Sequence, residues 1–239
     1  MKGLTYDGYD LSSLLMVENV IRPLVPPMEV TTAEVGSDGA PVKRARLLPM
    51  TVRVLAHLVS DEKTEKDQIR QLEDMRRKVA YRLYRKEPCR LVLPDAPDVF
   101  LMAVLADESE LERLGYTRGT EISFRCADPV AYGSERFKEA KSGGIIRCNV
   151  GGTYTTMPTV AVLAESAEVT VKFDGVEFST LGNFSSADPL IIDALAHVAS
   201  KGQIVVPVSI MSDWPEWEPG VHTIECSHPF AVSWRERWL

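Results

Sequence analysis

The sequence holds few of the residues, and none of the spacings, on which enzymatic chemistry is commonly built. Its four histidines, at positions 57, 197, 222 and 228, are scattered. There is no G-x-S-x-G elbow, no H-E-x-x-H pair, no P-loop and no G-x-G-x-x-G fingerprint. Catalysis is therefore not expected, and no cofactor is implied. Cysteine is equally sparse: Cys89, Cys126, Cys148 and Cys226 lie far apart with no CxxC pair. That pattern fits reduced, partly buried thiols better than a disulfide framework or a structural zinc site. Long apolar runs are missing too. The longest, Val99 to Ala106, is far short of the ~20 residues of a membrane helix. The first residues lack an apolar stretch and meet acids at Asp7 and Asp10, so they do not read as a signal peptide. Positive charge is in deficit, with 27 Lys and Arg against 34 Asp and Glu and a formal charge of −7. Such a balance argues against a nucleic-acid-binding surface, whose affinity comes from clustered cations.

What is present is the composition of an ordinary globular protein, 45% hydrophobic and 26% charged, and 239 residues suffice for one large or two modest cores. Most of it reads as strands. From Met50 to Leu58 the even positions are apolar while Thr51, Arg53 and His57 break the odd face, which is the period of a half-buried strand. The same alternation recurs at Ile122-Phe124-Cys126 and Val169-Val171-Phe173. Shorter β-prone runs at Thr159–Leu163, Ile204–Val208 and Val221–Cys226 are separated by Gly, Pro and Asp.

One helix is expected, from Thr64 to Lys86. Ile69, Leu72, Met75, Val79 and Leu83 recur at three- and four-residue steps. Thr64 and Asp67 resemble a capping box, and Pro88 stops the helix. Glu73 faces Arg77, Asp74 faces Lys78, and Arg82, Arg85 and Lys86 complement the C-terminal dipole. A solvated surface is the plain reading of that charged face. Composition shifts between Tyr132 and Gly144. The polar stretch 134–144, ending in a glycine pair, reads as a linker between a domain of residues 1–133 and one of residues 145–239.

Some isolated features invite chemical readings. His222, Cys226 and His228 would share one face of a strand, but positions four apart lie roughly 13 Å from each other, too far to share an ion. No metal site is expected. His57 and His197 read as surface residues, and Gly143-Gly144 and Gly151-Gly152 as turns. Trp214 and Trp217, on a proline-rich loop, could form an aromatic platform for a glycan, although a turn with its rings packed onto the sandwich edge is the favoured reading.

Several segments, in order, carry a family resemblance. They are Lys2-Gly3-Leu4-Thr5-Tyr6-Asp7-Gly8 at the start, Leu91-Val92-Leu93-Pro94-Asp95 after the helix, and Asp128-Pro129-Val130-Ala131-Tyr132-Gly133 closing a strand. Downstream come Val150-Gly151-Gly152-Thr153-Tyr154, Met157-Pro158-Thr159-Val160, Gly182-Asn183-Phe184, Leu190-Ile191-Ile192-Asp193 and Glu218-Pro219-Gly220-Val221. This colinear order resembles the distal tail proteins of long-tailed phages and prophages. The segment Glu34 to Leu48 departs from it, lacking a glycine-arginine signature after the first strands.

The resemblance implies a mainly β fold with one helix: an N-terminal, β-sandwich-like ring-forming domain and a C-terminal galectin-like β-sandwich. It implies a structural baseplate component of the virion, assembled in the host cytoplasm and located at the tail tip. There a homohexameric ring joins the tail tube protein to the tail-associated lysin or spike and often carries receptor-binding proteins. A glycan-binding adhesin using the C-terminal sandwich is the alternative. The resemblance further suggests that a hairpin between Glu29 and Leu48 reaches the neighbouring subunit. Its candidate contact residues are Glu34, Val35, Asp38, Lys43, Arg44 and Arg46.

Overall fold

The computed structural model describes residues 3–33, 38–60, 64–106, 111–114, 117–185 and 188–239, leaving aside the side chains of residues 59 and 111–118. Glu34 and Val35 lie outside the described residues. The chain divides into two compact units, Met1–Ala131 together with Leu239, and Tyr132–Trp238.

The first unit runs β1 (Thr5–Tyr6), β2 (Tyr9–Asp10), β3 (Met16–Ile21), β4 (Met28–Thr32), β5 (Val42–Leu47), β6 (Met50–Val59), α1 (Glu65–Leu83), β7 (Cys89–Leu93), β8 (Ala96–Ala106), β9 (Leu111–Leu114) and β10 (Thr117–Cys126). Antiparallel pairing joins β8, β10, β6 and β3 in that order, with β7 beside β8 and β1 beside β7. The alternation of β6 works as the sequence suggests: Met50, Val52, Val54, Ala56 and Leu58 are all buried. They meet Ile122, Phe124 and Cys126 of β10, Leu91 and Leu93 of β7, and one stripe of the helix. Strands β4 and β5 form a separate two-stranded sheet.

Helix α1 begins where expected. The Thr64 side chain accepts from the Asp67 amide, and Glu65 and Asp67 lie in the first turn. It ends at Tyr84, whose N–H closes on the Ala80 carbonyl, before Pro88. Leu72, Val79 and Leu83 are buried and Met75 packs beside them. Ile69, expected on the buried face, is 40% exposed, since it stands to one side of the stripe formed by Leu72, Val79 and Leu83. Among the described residues no helix is long and apolar enough to cross a membrane.

The second unit comprises β11 (Ala131–Ala140), β12 (Gly144–Val150), β13 (Thr159–Val162), β14 (Glu168–Phe173), β15 (Val176–Leu181), β16 (Leu190–Asp193), β17 (Val198–Lys201), β18 (Ile204–Val205), β19 (Gly220–Cys226) and β20 (Phe230–Trp238). One sheet is ordered β18-β17-β16-β13-β20-β11 and the other β12-β19-β14-β15. Inward residues of the first sheet, including Val160, Ile192 and Val232, pack with Val169, Val171, Phe178 and Ile224 of the second. The result is a β-sandwich with one core. Residues 134–144, read from composition as a linker, instead contain most of β11 and the turn into β12. From Ser134 to Glu139 every residue of β11 is exposed, so no apolar alternation betrays a strand there.

All four cysteines are free, and three are buried. Burial pushes the Cys126 thiol up to about 12 and the Cys148 thiol up to about 11, which keeps both protonated and unreactive.

Candidate functional site

Hairpin β4–β5 is built from a short sequence with two different faces. Prolines 26, 27, 41 and 49 bracket its strands, and the Leu48 amide donates to the Pro27 carbonyl at 2.7 Å to close its base. At the far end the Ala33 amide donates to the Pro41 carbonyl at 2.8 Å. The register pairs Met28 with Leu47, Val30 with Ala45 and, beyond a one-residue shift, Thr32 with Val42. Glu29 with Arg46 and Thr31 with Arg44 occupy the opposite face.

On the polar face the Arg46 Nε donates to the Glu29 carboxylate at 2.5 Å. Glu29 and Arg46 face each other across the two strands, so their opposite charges pair within the hairpin. Lys43 falls in the register shift, Arg44 stands opposite Thr31, and Asp38 lies in the exposed turn beyond the strands. Among the described residues the apolar face is left largely uncovered. Met28 is 53% exposed, Val30 52% and Val42 61%, and neither core cluster includes them. Both strands are also edges, each presenting backbone groups to one side with no neighbouring strand among the described residues. A ribbon of this kind is suited to burying its apolar face and extending its hydrogen-bonding against another molecule.

The remaining residues singled out by sequence are dispersed. Trp217 is 1% exposed, which corrects its reading as part of a glycan platform. Reciprocal backbone hydrogen bonds with Thr156, both 2.8 Å, turn its ring inward against Trp234. Trp214 packs edge-on to Phe178, and the His197 ring stacks on it at 5.4 Å. His57 Nε2 lies 2.7 Å from a Glu18 carboxylate oxygen. His228 Nδ1 is 3.1 Å from the hydroxyl of its neighbour Ser227.

His222 belongs to a structural lock that sequence reasoning missed. Its ring stacks on Trp217 at 5.2 Å, with Nδ1 2.7 Å from the Asp174 carboxylate and Nε2 2.6 Å from the Glu218 carbonyl. Asp174 also accepts from the Thr223 amide at 2.7 Å. Its burial raises the carboxyl pKa, but the contacts with His222 and Thr223 outweigh that and hold it below the ordinary carboxylate range. The available signal was the Asp174-Gly175 pair, a turn dipeptide between two alternating strands. Among the described residues no three potential metal ligands come together.

Three comparisons bear on this architecture. Residues 151–238 match the family described as siphovirus-type tail component, C-terminal domain. The distal tail protein of Bacillus phage SPP1 is 25% identical over 250 residues, covering 99% of this chain and 95% of that protein. The crystal structure of the SPP1 Dit protein, described as a paradigm of the hub adsorption apparatus in phages infecting Gram-positive hosts, superposes with a TM-score of 0.82. That alignment covers 99% of each chain at 20% identity, a likeness of fold.

Proposed function

We propose that this chain, which belongs to the phage distal tail protein family, closes into a six-membered ring at the tip of a phage tail through hairpin β4–β5. Its role is structural, as a component of the tail-tip hub. In the proposed assembly the first unit supplies the ring and the second carries contacts to attached proteins. The ring joins the tail tube protein to the tail-associated lysin or spike and offers attachment to receptor-binding proteins. One observation carries the ring reading: a two-stranded sheet whose apolar face and both backbone edges are left without cover among the described residues. The formal charge of −7 suits a channel through which DNA passes, since a negative wall does not retain phosphates.

The reading is tested by light scattering and negative-stain electron microscopy of the purified protein, alone and with its tube protein. Rings are expected at micromolar concentration or on adding the partner, because weakly associating subunits assemble by mass action. Replacing residues 35–43 by a short Gly-Ser turn should leave melting nearly unchanged and abolish ring closure. A subunit that stays monomeric under all these conditions counts against the ring. Normal rings from the shortened protein would put the subunit contact elsewhere.

A further inference from the structure

Besides Lys43, Arg44 and Arg46 of the hairpin, the acidic chain carries a second concentrated basic segment, and it lies outside the hairpin. Between Arg76 and Lys86 stand six of the 27 basic residues and none of the 34 acidic ones. The segment spans the last turns of α1 and the residues just beyond. Arg76, Arg77, Lys78 and Lys86 are exposed, and so are two tyrosines, Tyr81 at 71% and Tyr84 at 67%. On the helix Arg77, Tyr81 and Tyr84 follow one another at steps of four and three, so they share a stripe. That stripe points away from the buried Leu72, Val79 and Leu83.

The patch is braced at one end. The Arg82 guanidinium lies 3.7 Å over the Tyr9 ring and 5.5 Å from the Tyr81 ring. Arg85 donates to Asp7 at 2.7 Å and to the Tyr84 carbonyl at 2.8 Å. Tyr9 and Asp7 belong to the β1–β2 hairpin, whose turn residues Asp7 and Gly8 both have positive φ. The hairpin thus holds the end of the helix in place before any partner arrives, which lowers the entropic cost of binding.

We propose that this basic, tyrosine-bearing face of α1 is a docking surface for an acidic segment of a partner protein, separate from the ring contact. Charge decides between protein and nucleic acid. Arg76 and Arg77 share Glu73, at 2.7 and 3.6 Å, and Arg85 is paired with Asp7. These carboxylates sit within the patch and oppose a continuous polyanion. Among the described residues Lys78, Arg82 and Lys86 make no ion pair, which leaves discrete positive sites. Lys78 and Arg82 are one helical turn apart, roughly 6 Å along the axis. Duplex DNA presents a charge about every 1.7 Å and binds through many cations at once. Carboxylates one turn or two residues apart on a peptide match the observed spacing. The exposed tyrosines supply rigid apolar contact area of the kind that dominates protein interfaces.

Fluorescence anisotropy on the full chain tests this, with a labelled Glu- and Leu-rich peptide, its Lys-for-Glu counterpart and a labelled DNA duplex as probes. The acidic peptide should bind more tightly than either of the others at physiological salt. The double substitution Lys78→Glu and Lys86→Glu should weaken it about tenfold or more without moving the melting temperature. Tyr81→Ala and Tyr84→Ala should each weaken it about fivefold or more. Tighter binding of the duplex, with loss on the same charge reversal, would make this a nucleic-acid surface and overturn the proposal. Equal binding of the acidic and basic peptides, no binding of the acidic one, or indifference to both sets of substitutions would also overturn it.

Discussion

Strands β4–β5 and β14–β15 are both antiparallel hairpins with apolar residues at alternate positions, yet they meet opposite environments. In β14–β15, Val169, Val171 and Phe178 are at most 1% exposed and sit in the sandwich core, and β14 gains a second neighbour in β19. Its turn is the two-residue Asp174-Gly175, both at positive φ, and its register is unbroken. In β4–β5 the connection is longer, the register shifts between Thr31 and Thr32, and every β4 side chain is exposed. An isolated two-stranded hairpin is marginal in water. The contrast teaches that alternation specifies a strand but does not say whether its apolar face belongs to the chain's own core or to another molecule's.

The largest expected effect comes from placing the same charge in both hairpins. Val171→Asp puts a carboxylate in a fully buried position without a partner and should cost roughly 3–5 kcal/mol, so the second unit should fail to fold. Val30→Asp, at a position 52% exposed, should change the melting of the unassembled subunit by less than about 0.5 kcal/mol and prevent ring closure. Thermal melts and light scattering of the two variants separate the cases. Comparable loss of folding in both would mean that β4 is core after all.

How much of this was legible in sequence depended on where the apolar faces are covered. The β6 alternation and the α1 start at Thr64 could be read directly, because a buried face and a capping side chain both leave a mark in residue type. Strand β11 could not. Its exposed Ser134–Glu139 stretch has a single apolar residue, Phe137, and no alternation, as a linker would. Trp217 was equally opaque. A proline-rich loop says that the chain turns, whereas the backbone pairing with Thr156 decides that the ring turns inward. Ile69 fits the helical period but stands at the margin of the buried stripe and is 40% exposed. The hairpin's strands could be inferred from β-propensity, but the exposure of one apolar face appears only once both cores are known.

A smaller effect is expected at the turn of the inner hairpin. Asp174→Asn keeps the turn conformation and the size of the side chain while removing its charge. It should cost about 1 kcal/mol at neutral pH. The Asp174 side chain is 44% exposed, so solvent screening keeps the effect small. Because the folded carboxyl is held below its unfolded value of about 3.9, its contribution is fully present above that pH and is lost as pH falls through the folded value. The stability gap between wild type and Asp174→Asn should therefore stay level near neutrality and close on acidification below about pH 4. A gap that widened with acid would contradict the assigned hydrogen bonds. The outer hairpin has no comparable lock among its described residues, so its variants should show no matching acid dependence.

The smallest effect is expected at the Glu29–Arg46 pair, where the two interpretations of the outer hairpin diverge. Both side chains are about half exposed, at 48% and 52%. A cross-strand pair so placed contributes about 0.2–1 kcal/mol, and salt screens it. A double-mutant cycle with Glu29→Gln and Arg46→Gln on the unassembled subunit should give a coupling energy in that range. Repeating the cycle on ring stability asks a sharper question. If the apolar face of Met28, Val30 and Val42 makes the contact, the charged face remains in solvent, and the coupling should be unchanged in the ring. If the charged face is itself buried by the neighbour, removing one partner strands the other away from water, and the single-mutant costs should rise to several kcal/mol. The first outcome is expected, because an apolar surface left uncovered in the subunit releases more water-exposed area on burial than a carboxylate and guanidinium already joined at 2.5 Å.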